Sequence, residues 1–481
     1  MNRIITNILP SLLFFAPLIV VSSFNASAQE NSSPVEAVLQ KAIDGKTIPA
    51  AGVVVVRDGK VIVAKGYGTA SIESGTPANE NTVFQIASIT KQFTAVGILL
   101  LAEEGKLNLD DAAGKHLSDV PSQWSEVTLR QLLNQVSGIT SYTDVGKIVT
   151  DKIYEQAEIL ALVRELPLRF TPGSRREYSN TNYFLLGMVI EKVSTQPYPK
   201  FMEEKIFIPL GMEATRINTS GLKVPNAATG YELKTGKWQT VELVDPSQPF
   251  AAGAMLSTAG DMAKWAVAVS QGKLVHKNSW DEAFRLGKLI DGSASNYGFG
   301  WQSGKIGETK YMGHGGGIPG FGSYIVRFPI EDIIVVLLSN TTASRAPQQI
   351  AFEIAGTFLP NVGDVVAAQN AARNAAPIAD SDPDSTTLVR VVFEGMLKGE
   401  GDPNLFSPEM QKEMFPDKIK QLKGPLGSQG ALTAFDLLAS ENVGDAKRRS
   451  YRATFESGMK IRANITLDSD GKIADAKIRP E

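Results

Sequence analysis

Two strand-like pairs stand at opposite ends of a long helical stretch, and one sheet has to gather them. Residues 52–57 and 60–65 flank Asp58-Gly59, a dipeptide that favours the left-handed backbone of a tight hairpin. Strand character returns at residues 323–328 and 333–338. Between the two pairs, from Val83 to about Leu210, the apolar spacing is mainly helical, with long stripes over 93–102 and 183–193. Strands at both ends with helices between predict an α+β sandwich: a mixed or antiparallel sheet completed by the chain ends, flanked by helices and joined to a helical subdomain.

The ends carry further signals. Residues 1–28 read as a secretory signal peptide, with Arg3 as a weakly positive start, an apolar run over 12–21 and Ala26-Ser27-Ala28 as the small-residue cleavage pattern. The apolar run is broken by Pro17 and is shorter than the roughly 18 residues of a membrane span. Cleavage after Ala28 is expected, giving a periplasmic or secreted protein with no stable membrane anchor. Residues 29–362 then form the main domain. Residues 363–384, rich in Ala, Asn, Asp and Pro, read as a linker that starts as helix. Residues 385–481 read as a small α+β domain resembling cystatin-like or NTF2-like cones. It has a helix over 385–397, then alternating runs at Tyr451, Ala453 and Phe455, at Ile461, Ala463, Ile465 and Leu467, and at Ile473 and Ile478.

Composition narrows the chemistry. With 48 Lys and Arg against 51 Asp and Glu, the net charge of -3 leaves no basic footprint, so no nucleic-acid partner is expected. The chain has no Cys and only three His, at 116, 276 and 314. A cysteine nucleophile and a Cys/His zinc site are excluded, and neither metal nor cofactor is expected.

A serine hydrolase needs a hydroxyl, a base and donors for an oxyanion. Gly-x-Ser-x-Gly is absent. Ser-x-x-Lys occurs at Ser88 with Lys91, Ser220 with Lys223, Ser270 with Lys273, Ser457 with Lys460 and Ser469 with Lys472. Only the first opens a helix that is apolar nearly all round, where a polar Ser and Lys need a reason, and a spacing of three puts both on one face. Tyr178-Ser179-Asn180 precedes a second helix and suits presentation of Tyr178 and Asn180 into a cleft. A phenol near an ammonium is favoured as phenolate, which predicts a lowered pKa and a general-base role for Tyr178. The third element, His314-Gly315-Gly316-Gly317, is a glycine-rich turn that brings backbone N–H groups close to a substrate.

In this order the three elements resemble those of the serine β-lactamase and penicillin-binding superfamily. They are most similar to its class C-like branch, with D-aminopeptidases, D,D-peptidases and family VIII esterases. The strings Leu132-Leu133-Asn134-Gln135-Val136-Ser137-Gly138 and Tyr297-Gly298-Phe299-Gly300-Trp301 look like that branch as well, and the likeness covers about residues 35–360. The resemblance implies Ser88 as nucleophile, Lys91 as its activator and Tyr178 as proton shuttle. It implies Asn180, His314, Gly315 and Gly316 at the substrate, and the backbone N–H groups of Ser88 and Gly317 as the oxyanion hole. Two departures stand out. His314-Gly315 replaces the Lys and hydroxyl of the third motif, which removes groups for a substrate carboxylate. Gln135 stands where a His is usual, a change expected to matter only for local packing. A literal Lys234-Thr235-Gly236 reads as a hairpin turn. The expectation is an exported serine hydrolase acting on a small ester, a D-amino-acid amide or a peptidoglycan-derived substrate. A D,D-carboxypeptidase, a β-lactamase and a non-catalytic binder of cell-wall fragments are the alternatives.

Overall fold

The computed structural model describes residues 26–146, 149–342, 345–423, 430–456 and 459–480. The expected leader lies outside the described residues as far as residue 25, and Ala26 already begins a helix. No described helix is long and apolar enough to cross a membrane. The chain divides into two compact units between Val366 and Ala367.

The first unit is built on one sheet. Its strands are β1 (Ala50–Arg57), β2 (Lys60–Ser71), β3 (Thr76–Pro77), β4 (Gln302–Ile306), β5 (Thr309–Ile318), β6 (Phe321–Phe328) and β7 (Ile333–Ser339). They pair antiparallel in the order β3-β2-β1-β7-β6-β5-β4. Distant ends of the chain meet at the centre, with Val53 opposite Leu337 and Val55 opposite Val335. The Asp58-Gly59 hairpin has both residues at positive φ, 49° and 67°, the geometry that matches strand twist.

Both faces of the central strands are covered, which explains why they read as continuous apolar runs rather than alternating ones. Val54, Val56, Ile334, Val336 and Leu338 join the core shared with the helical block. Val53, Val55, Ile333, Val335 and Leu337 point the other way, against Val35 and Leu39 of α1 (Ala26–Asp44) and Ile350 and Ile354 of the later helix Ala346–Phe358. The helical block is centred on α2 (Thr90–Glu103) and α3 (Asn180–Ser194), backed by α4 (Ala259–Gln271). α2 is buried from Thr90 through Leu99, and Phe93 stacks on Trp265 of α4 at 3.8 Å. A helix apolar on every side has to be central, so whatever polar groups it carries are fixed in place. The Ala346–Phe358 helix, α5, is followed by α6 (Pro360–Arg373).

The second unit packs α7 (Pro383–Lys398) and shorter helical pieces on a four-stranded antiparallel meander, β8 (Leu432–Val443), β9 (Ala446–Phe455), β10 (Lys460–Leu467) and β11 (Ile473–Pro480). β9 to β11 coincide with the three alternating runs. β8 has no counterpart among them, because its register shifts at Leu432/Ala434 and again at Leu437/Ala439, and each bulge breaks the period-two pattern. The stretch read as a linker is ordered in two parts. Residues 363–373 continue α6, and the segment beyond is tied to the second sheet: Ile378 N–H donates to the Leu437 carbonyl at 2.8 Å, and buried Arg449 bonds Asp380 at 2.5 Å.

Candidate active site

Ser88 sits in a single 3-10 turn, Ala87–Ile89, that feeds α2. The chain arrives there extended and pinned on both sides, with Ile86 N–H on the Met255 carbonyl at 3.0 Å and the Ile86 carbonyl accepting from Ser323 Oγ at 2.8 Å. Ala87 then takes a φ of +46°, a left-handed value that costs a non-glycine residue about 1 to 2 kcal/mol. The surrounding bonds hold this strain, and the turn brings Ser88 to the rim of a cavity of about 290 Å³.

Lys91, one turn on, is 0% exposed. Its Nζ lies 3.0 Å from Ser88 Oγ, 2.8 Å from Asn180 Oδ1 and 2.7 Å from the Ala252 carbonyl. Burial holds its pKa well below the ordinary lysine value, so the neutral amine is favoured. A neutral amine has two hydrogens and one lone pair. The Ala252 carbonyl can only accept, and Asn180 Oδ1 likewise, so these two take the hydrogens and the lone pair faces Ser88. The Tyr178 hydroxyl donates to Ser88 Oγ at 3.0 Å. Its pKa moves opposite to the sequence expectation: burial pushes the phenol up, outweighing the Ser88 bond and the charge of Arg176. The expectation of a lowered pKa fails because the neighbouring lysine is itself too buried to remain a full cation. Tyr178 is therefore a protonated phenol, a donor rather than a base.

His314 is also arranged differently from the expectation of a substrate contact. It is 5% exposed, with Nδ1 2.7 Å from the Gly315 carbonyl and Nε2 2.8 Å from the Tyr297 hydroxyl. The carbonyl can only accept, so Nδ1 carries the hydrogen and Nε2 accepts from Tyr297. Both nitrogens are used inside the protein. Burial depresses its pKa to about 3, so the imidazole is neutral and supports Tyr178, whose ring centroid is 6.0 Å away. A folded-state pKa below the unfolded value near 6.5 makes unfolding take up a proton as pH falls from 6.5 towards 3. The stability due to neutral His314 is therefore full above pH 6.5 and lost across that window, by several kcal/mol. His314→Gln is expected to flatten the loss, read from urea midpoints at pH 7 and pH 4, and the wild-type imidazole resonances of His314 should not shift between pH 5 and 8.

Gly315, Gly316 and Gly317 lie on β5 opposite Tyr324, Ser323 and Gly322. A Cβ at Gly316 would come within 2.2 Å of Ser323 Oγ and 2.3 Å of the Ile86 carbonyl, so a side chain there would push β5 off the Ser88 turn. Gly317 borders the same cavity as Ser88 and Asn180.

Sequence reasoning missed what braces these groups. Gln135, at φ +61°, accepts from Ser179 N–H at 2.9 Å and from Asn182 Nδ2 at 2.6 Å. Ser141 Oγ accepts from Asn180 N–H at 3.0 Å, and Thr143 Oγ1 from Asn180 Nδ2 at 3.3 Å. The loop before α3 is thus held by the segment 135–143. The Leu132–Gly138 string was the available signal. The other Ser-x-x-Lys pairs contrast with this site: Lys223, Lys273 and Lys460 are exposed, and Ser457 lies outside the described residues. Thr235 and Gly236 form the turn of a hairpin between Tyr231–Lys234 and Lys237–Thr240.

The protein-family model described as Beta-lactamase matches residues 35–356, a span containing all of these groups. The chain belongs to the Beta-lactamase family. Within the family it is 30% identical over 337 residues to Protein flp of Staphylococcus aureus (strain MW2), covering 68% of this chain and 66% of that protein. It is 29% identical over 325 residues to Penicillin-binding protein 4* of Bacillus subtilis (strain 168), covering 64% and 71%. The chain thus spans slightly less than two thirds of the length of Protein flp. Among solved structures, the D-amino acid amidase of Ochrobactrum anthropi SV3 is similar at 25% identity and a TM-score of 0.61, covering 71% of this chain and 99% of that one. An octameric penicillin-binding protein homologue from Pyrococcus abyssi shares the fold, with a TM-score of 0.64, 22% identity and coverage of 93% and 98%. This family membership agrees with the antiparallel sheet and flanking helices expected from the strand-like runs.

Proposed function

We propose that the protein is an exported serine hydrolase that cleaves a small ester or D-amino-acid amide through an acyl-Ser88 intermediate. The observation that carries the reading is the fully buried Lys91 amine hydrogen-bonded to Ser88 at the rim of a cavity. Lys91 accepts the Ser88 proton as Oγ attacks the substrate carbonyl carbon, the oxyanion being held by the N–H groups of Ser88 and Gly317. The bond to the leaving atom breaks, that atom takes the Tyr178 proton, and the Lys91 ammonium returns a proton to Tyr178. Water then releases the acid by the same path in reverse. Asn180 orients Lys91 and presents its amide to the cavity. Residues 1–28, read as a signal peptide, support export.

None of the side chains lining the Ser88 cavity is charged; Val244, Pro249, Ile318 and Pro319 give it an apolar wall. With His314 neutral and turned inward, nothing there matches a β-lactam or peptide carboxylate, which favours esterase or amidase over D,D-peptidase or β-lactamase activity. The likeness to a D-amino acid amidase agrees with this preference. The test is turnover of p-nitrophenyl acetate and butyrate and of D-phenylalanine amide beside nitrocefin. The esters or the amide are expected to exceed nitrocefin in kcat/KM by at least about 10-fold, the order expected from a missing charged hydrogen bond. Nitrocefin as the best substrate would count against the reading.

A further inference from the structure

One polar side chain in the wall of the Ser88 cavity has its orientation fixed and an acceptor left over. Gln248, 2% exposed, borders the cavity beside Val244 and Pro249. Its Nε2 lies 2.8 Å from the Val149 carbonyl, 2.9 Å from that of Thr150 and 3.0 Å from that of Lys152. Carbonyls only accept, so the amide nitrogen has to face them; the flipped amide would set Oε1 against three other oxygens. The oxygen therefore points away from the segment 149–152. Among the described residues nothing donates to it, and it is not among the buried atoms sealed off without a partner. It opens on the cavity that Gln248 lines. Asn180 and Thr143, by contrast, serve protein partners: Asn180 Oδ1 accepts from Lys91, and Thr143 Oγ1 bonds both Asn180 Nδ2 and Ser141 Oγ.

We infer that Gln248 Oε1 is a specificity-determining acceptor that reads a hydrogen-bond donor, a hydroxyl or an amino group, on the acyl part of the substrate. The inference rests on the hydrolase reading above and extends it to substrate class. Tyr178, which protonates the departing atom, packs against Tyr297 and His314, while the cavity is walled by other residues, so the acyl part is what the cavity holds. A space of about 290 Å³ bordered by Ser88 and Gly317 takes only a short acyl group, which puts the donor on the first or second carbon beyond the carbonyl. Within the apolar wall, an alkyl chain would strip Oε1 of water and leave it unpaired, whereas an acyl group with a donor satisfies it. A site that hydrogen-bonds a substrate group rejects the analogue lacking it.

The test uses p-nitrophenyl esters of butyrate, of 2- and 3-hydroxybutyrate, of the matching methoxybutyrates and of 2-aminobutyrate, the chiral acids in both configurations. The methoxy esters keep the oxygen and lose the donor. Each kcat/KM is divided by the rate constant of the same ester with hydroxide, which removes intrinsic reactivity. At least one hydroxy or amino ester is expected to exceed butyrate and the methoxy ester of the same position by about 5-fold or more, the order of one added hydrogen bond. Gln248→Met keeps the length and removes the acceptor. The segment 149–152 is still held there by Asp245 N–H on the Thr150 carbonyl at 3.0 Å and by Tyr154 N–H on Ser247 Oγ at 2.9 Å, and the preference should fall to within about 2-fold. Ser247→Ala loosens the same segment and leaves Oε1 in place, so the preference should persist. A wild-type enzyme that turns over butyrate or a methoxy ester as well as the best donor ester would overturn the inference. So would a preference that survives Gln248→Met, or one lost equally in Ser247→Ala. Absence of turnover of every ester would instead overturn the hydrolase reading, and the role of Gln248 with it.

Discussion

Ser88→Ala is expected to lower kcat for p-nitrophenyl butyrate by about 10⁴ to 10⁶-fold, the range seen when a nucleophile that acts as one unit with its base is removed. The substitution deletes one oxygen from a part-buried position. Lys91 keeps the Ala252 carbonyl and Asn180 Oδ1, and the 3-10 turn keeps its backbone bonds to Met255 and Ser323, so the fold should survive. Circular dichroism and the thermal midpoint of the variant should match the wild type. A loss of less than about 10-fold would mean that Ser88 is not the nucleophile.

Lys91→Met should lower kcat/KM by about 10² to 10⁴-fold, the usual worth of a positioned general base, and should also change the shape of the pH profile. In the proposed mechanism the base is the neutral amine, so wild-type kcat/KM should rise with pH as Lys91 deprotonates and level off above its folded-state pKa. Burial sets that pKa well below the ordinary lysine value, so the rise should be complete before pH 10. In Lys91→Met this limb should vanish, a readout that a merely structural loss would not produce. Met has a length and volume close to those of Lys and carries no charge into the core. Lys91→Arg provides the complementary case: guanidinium cannot surrender its proton at any working pH, and activity should be as low as in Lys91→Met. If Lys91→Arg kept more than about a tenth of wild-type activity, Lys91 would be acting through charge alone.

Much of this arrangement was legible in the sequence because few solutions satisfy it. Strand-like pairs separated by a helical block have to meet in one sheet, and Val53 does face Leu337. A lysine on a helix apolar all round has to be inside, and Lys91 Nζ lies 3.0 Å from Oγ of Ser88 in the turn that opens it. Tyr178 lies in the loop before α3, beside Ser88, whereas His314 to Gly317, expected as a turn, are part of the strand β5, and the protonation of Tyr178 was not legible. Sequence shows that a phenol and a lysine are neighbours, whereas the sign of a pKa shift depends on how deeply each is buried. The orientation of His314 depends on Tyr297 and the Gly315 carbonyl, partners that no spacing rule supplies. Gln135 looked like packing because its role is to accept two hydrogen bonds from a loop some 45 residues ahead, which only the fold brings close. β8 was lost to its two bulges.

The most direct test of the account is the mass of the protein after reaction with a fluorophosphonate, followed by peptide mapping. A single adduct on the peptide containing Ser88 is expected in the wild type, with labelling that grows as pH rises through the Lys91 limb, and none in Ser88→Ala. An adduct on another serine, or a wild-type protein that stays unlabelled at every pH, would contradict the claim that buried neutral Lys91 activates Ser88.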